Sequence, residues 1–129
     1  MLATYFAYAF VHRADPDWAR AGRREWAQVV QRDPPDSATL DWRFMARLPP
    51  QQSGQVYAWY QNLLNVRAAD LYAEHGLDFL REVRDQLPWA NSDEWTTDML
   101  LTHLESFAPG FQLWAEQLRQ GRYVGHQRP

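Results

Sequence analysis

His103 and Glu105 stand two positions apart in a stretch, Thr96 to Phe107, whose apolar residues Met99, Leu100, Leu101 and Leu104 suit a buried final strand. On a strand, residues i and i+2 share a face about 7 Å apart along the chain, so the two side chains would form an acid/base pair. Glu105 would lift the imidazole pKa toward working pH and leave His103 as a general base. The alternative is that His103 only fills the sheet face and Glu105 ends in solvent. Arg43, in a row with Asp41 and Arg47, brings a planar fork suited to a carboxylate or an enolate; such a row is otherwise the solvent side of an edge strand. Tyr8, Tyr57, Trp59 and Tyr60, with Trp42, are the groups that would stack on a flat aromatic ligand, or else simply pack the core and a dimer interface. The chemistry this set implies is proton abstraction from an activated carbon or phenol, leading to cyclisation, isomerisation or cofactor-free oxygenation.

Composition removes many other chemistries. The chain has no cysteine, which excludes disulfides, thiolate metal sites and a Cys nucleophile. All 13 basic residues are arginine, so a lysine Schiff base and covalent pyridoxal phosphate are excluded as well. The four histidines form no H-x-H or H-x-x-x-H pair, no serine lies in a G-x-S-x-G context, and the six glycines are scattered rather than gathered into a phosphate loop. No metal and no cofactor are expected. A net charge of −3 offers no basic surface for phosphates, so nucleic acid is not an expected partner. Met1 to His12 is apolar but lacks the basic and small-residue flanks of a signal peptide, and no segment approaches the roughly 20 apolar residues of a membrane span. A cytoplasmic protein with no membrane contact is the expectation.

The elements that must position these residues follow from periodicity. The 129 residues fit one domain. Residues 3–12 alternate small with large, which predicts a strand with Phe6, Tyr8, Phe10 and His12 on its bulky side and Ala3, Ala7 and Ala9 on its slim side. Asp15-Pro16 supplies an N-cap and a first-turn proline, and a helix is expected from there to about residue 31, with Trp18, Gly22, Trp26, Val29 and Val30 inward and Arg20, Arg23 and Arg24 outward. Pro34-Pro35 stops it. Residues 39–47 alternate strictly and predict a second strand, with Trp42 on one side and Arg43 on the other. Residues 49–54 read as a turn, and 55–62 as the hairpin partner or, alternatively, as the start of a long helix reaching Leu87. Residues 67–87 return to a 3.6 period, with a bend or close approach at Gly76. Residues 96–107 give the last strand, and 110–120 a short amphipathic helix before a loose tail.

The resulting order, strand, helix, strand, strand, helix, strand, is α+β: a ferredoxin-like βαββαβ domain with a core over about 3–107 and a terminal helix and tail over 108–129. Both helices would cover one face of a four-stranded antiparallel sheet. The other face would be bare and aromatic, which predicts a homodimer.

The string Val11-His12-Arg13-Ala14-Asp15-Pro16-Asp17-Trp18 resembles the strand end, turn and helix start of chlorite-dismutase-like modules and of darcynin-like small proteins, both of the dimeric α/β-barrel superfamily. The resemblance implies a dimeric α/β barrel and a spread of activities: cofactor-free monooxygenases, aromatic cyclases, lactone isomerases and haem enzymes. The haem-ligating histidine of chlorite dismutases lies in a second module with no counterpart among these residues. The leading expectation is a small-molecule enzyme acting on an aromatic or polyketide-like substrate. The rivals are a non-catalytic ligand-binding or dimeric interaction module, and a haem-binding module using His103 or His75.

Overall fold

The alternation over residues 3–12 satisfies two periods at once, and the structure adopts the helical one. The structure, a computed structural model, describes residues 2–32, 34–35, 48–86 and 97–119. They form six helices: α1 (Leu2–Ala14), α2 (Pro16–Arg32), α3 (Pro50–His75), α4 (Asp78–Gln86), α5 (Thr97–Phe107) and α6 (Phe111–Arg119). No strand occurs among the described residues. The ferredoxin-like sheet, the α+β class and the dimeric α/β barrel implied by the resemblance are therefore corrected to a fold that is helical, without a strand, over the described residues. The homodimer loses its basis with the sheet face that was to demand it.

In α1, Tyr5, Tyr8 and Ala9 recur at i, i+3 and i+4 and are buried. A strand would have placed Phe6, Tyr8 and Phe10 side by side. Instead Tyr8 is 7% exposed, while Phe6 and Phe10, one turn apart on the opposite side, are 59% and 77% exposed. Alanines at 3, 7, 9 and 14 favour this outcome, since alanine is the strongest helix former.

Asp15 alone separates α1 from α2. Its N–H donates to the Val11 carbonyl (2.8 Å), its carbonyl accepts from the Ala19 N–H (3.1 Å), and its Oδ1 accepts from the Trp18 N–H (3.0 Å). It thus closes one helix and caps the next, ahead of Pro16 at the first helical position. α2 matches the expected span, but its inward face differs. Ala19 and Val30 are buried and Trp18 is exposed. Trp26 lies back over Gly22, where a Cβ would stand only 3.1 Å from Trp26 Cζ2.

The expected hairpin strand at 55–62 is also corrected, and the long-helix alternative is the one that forms. Val56, Trp59, Leu63 and Val66 follow a 3,4,3 spacing and are all buried. α3 ends at Gly76, whose φ of +57° and ψ of −145° belong to a region that residues with a Cβ rarely enter. The expected bend is therefore a full stop and restart, and the Tyr5 hydroxyl donates to the Gly76 carbonyl across it. The final strand at 96–107 is corrected to α5, whose Leu104 is buried and whose Met99 is exposed.

α1, α2 and α3 pack on one another, α4 contacts α3 and α5, and α5 contacts α6. The main core joins Tyr5 and Tyr8 to Ala19, Ala68, Leu71, Phe79, Leu104 and Phe111. A second cluster holds Val30, Trp59 and Leu63. There the Trp59 Nε1–H donates to the Val30 carbonyl at 3.1 Å, so the buried indole is satisfied. The expected second strand, with Asp41, Trp42, Arg43 and Arg47, lies outside the described residues. No helix among them is long and apolar enough to cross a membrane.

Candidate functional site

On α3, Arg67, Asp70 and Glu74 are spaced three and four apart and so lie along one face of the helix. That face borders a cleft of about 580 Å3, closed by Arg23 of α2 on one side and by the α5–α6 turn with Leu113 and Trp114 on the other.

Asp70 interrupts a run of buried neighbours, Ala68, Ala69 and Leu71, and its carboxylate needs a partner there. Arg23 supplies it: Nε and Nη2 donate to Asp70 Oδ1 at 2.7 and 2.5 Å. The side chains are 37% and 26% exposed, so the pair is partly wet. Arg23 was expected on the outer face of its helix; it points to α3 instead.

Arg67 lies against the opposite wall. Its guanidinium carbon is 5.4 Å from the Phe111 ring centre and 5.6 Å from that of Trp114, within cation–π range of both. The two rings are 5.3 Å apart and inclined at 54°.

The turn that carries this wall is held by Glu105. Its Oε1 accepts from the Gly110 N–H and its Oε2 from the Gln112 N–H, each at 2.7 Å. These N–H groups at the start of α6 have no carbonyl partner within the helix, and the helix dipole also favours a negative charge there. The N–H groups of Gln112 and then Gly110 hold the Glu105 carboxyl below the usual carboxylate range, with Arg67 adding a smaller effect.

The expected acid/base pair is not assembled. On a helix, positions two apart differ by about 200° around the axis, so His103 and Glu105 do not share a face. Glu105 is engaged with α6, and the His103 carbonyl accepts from the Ser106 hydroxyl at 2.6 Å. Nor are the expected stacking residues brought together. Tyr8 is in the main core against Trp26, Tyr72 and His12, with burial pushing its hydroxyl pKa up. Trp59 is in the second cluster with Tyr60 beside it, and Tyr57 faces outward. Trp42 and Arg43 lie outside the described residues. His75, a rival haem ligand, has a buried Nε2 that lies 3.9 Å from Glu74 Oε2. Among the described residues no three His, Asp or Glu side chains cluster as a metal site would require.

Sequence reasoning missed Arg23, Arg67 and Asp70. A signal was present: Arg67 and Asp70 are charges set within the otherwise largely apolar helical run from Leu63 to Tyr72, where a charge must find a partner. No family model, curated protein or solved structure matches this chain, so the cleft is read from its own geometry.

Proposed function

We propose that the chain is a binding module and that the cleft between α2, α3 and α6 takes a small aromatic molecule. The observation that carries this reading is the placement of Arg67 against Trp114 in the lining of the cleft, the guanidinium carbon 5.6 Å from the indole ring centre. An aromatic ring next to a cation gives a planar ligand a surface to lie on, and the volume falls within the roughly 300–1,000 Å3 of small-molecule sites. Turnover would need an acid and a base converging on one spot, and the expected pair is divided between two sides of α5; binding without chemistry is the better account. The cleft is lined from within one chain, so this function does not require a second copy. The proposal keeps the expected cytoplasmic setting.

The test is an amide-resolved NMR titration of the 129-residue chain with indole, a neutral planar probe. Shifts centred on Arg67, Gly110 and Trp114, lost in Trp114→Ala, are expected. Shifts elsewhere, or unchanged binding by the variant, would overturn the reading.

A further inference from the structure

We infer that the cleft selects an uncharged aromatic carboxamide over the corresponding acid or amine, an inference that rests on the binding reading above. The first observation is charge balance. Among the described residues the lining carries two arginines, Arg23 and Arg67, and two carboxylates, Asp70 and Glu74. A ligand carboxylate gains from the first two and is opposed by the second two, and an ammonium meets the reverse. Either ion also loses its hydration on entry, and nothing in a balanced lining offsets that loss.

The second observation is the half-used ion pair. Arg23 has five N–H donors and spends only two, one from Nε and one from Nη2, both on the same oxygen of Asp70. Asp70 Oδ2 accepts no hydrogen bond from a described residue, nor does Nη1 of Arg23 donate to one. Both side chains border the cleft and both are partly exposed. The pair therefore leaves over one carboxylate acceptor, Oδ2, and unused guanidinium N–H donors on two residues that border the cleft. A primary carboxamide has the matching pair, a carbonyl to accept from the guanidinium and an N–H to donate to the carboxylate. A carboxylate presents acceptors only and an ammonium donors only, so each leaves one partner unsatisfied, an asymmetry that sites use for strong discrimination. The ring of such a ligand would rest on Leu113 and Trp114 across the cleft.

The experiment is a titration of the full chain at neutral pH and fixed ionic strength with benzamide, benzoate and benzylamine, read by NMR. Benzamide is expected to bind about tenfold more tightly than either ion, with the largest shifts at the Arg23 and Asp70 side chains. In Asp70→Asn, benzamide should lose this advantage while indole binding at Trp114 persists. Benzoate or benzylamine binding in the cleft as well as benzamide overturns the carboxamide inference and leaves the binding reading intact, as does indole binding there without benzamide. Silence of the cleft toward all four probes overturns both. If Asp70→Asn fails to fold, the ranking of the probes on the unaltered chain still decides.

Discussion

Arg23 and Asp70, 47 positions apart, meet through a single carboxylate oxygen that receives both the Nε and the Nη2 of the guanidinium. This contact fixes α2 against α3 beside the cleft. Because each side chain keeps about a quarter to a third of its surface in water (37% and 26%), solvent screens the pair. A double-mutant cycle with Arg23→Leu and Asp70→Asn is expected to give a coupling of about 1 kcal/mol in urea unfolding. A coupling indistinguishable from zero would mean that the pair does not hold the helices together.

The two sides of α1 should respond very differently to truncation. Tyr8→Ala removes a buried ring and should cost about 3 kcal/mol, whereas Phe10→Ala, on the exposed side, should change stability by no more than about 0.5 kcal/mol. Comparable losses from the two variants would be the result of a strand, in which these residues share a face.

Gly76→Ala isolates backbone strain. An added Cβ meets nothing within 4 Å, but the φ of +57° is one that alanine resists. A loss of about 1–2 kcal/mol is expected in chemical denaturation. Tyr5→Phe tests the hydroxyl that reaches the same residue's carbonyl, and should cost about 1 kcal/mol.

Glu105 should make stability depend on pH at the acid end. Its carboxyl is held low in the folded chain by the N–H groups of Gln112 and Gly110, so the unfolded chain takes up its proton first as pH falls. The stabilisation is complete above the ordinary glutamate pKa of about 4.3 and disappears as pH drops through the lower folded value. Glu105→Gln is expected to lower Tm at pH 7 and to flatten the fall in Tm below about pH 5. Parallel Tm–pH curves for the two proteins would show that the carboxylate contributes nothing there.

Where the sequence carries explicit punctuation, the fold was legible. Asp15-Pro16 and Pro34-Pro35 bracket α2, and the span of α6 was readable from its amphipathic pattern, while Gly76, expected as a bend within one helix, ends α3 instead. Reading failed where one string satisfies two periods. Residues 3–12 alternate in size, yet Tyr5, Tyr8 and Ala9 also recur at helical spacing, and the aromatic residues of 55–62 suit a strand while Val56, Trp59 and Leu63 suit a helix. In the run from Met99 to Leu104 the apolar residues Met99, Leu100, Leu101 and Leu104 are too few for their period to decide. The His103–Glu105 pairing went with these elements, since it needed strand spacing. Contact between Arg23 and Asp70 is set by how two helices pack, which local periodicity does not encode.

The joint at Asp15 has an evolutionary corollary. With a single residue shared between the end of α1 and the cap of α2, there is no slack in which to absorb a change of length. One inserted residue would turn α1 by about 100° about its axis, withdrawing Tyr5 and Tyr8 from the core and swinging other residues of α1 toward it. Homologous chains of this fold should therefore vary in length at other connections and keep this one invariant in residue count, even where its sequence drifts.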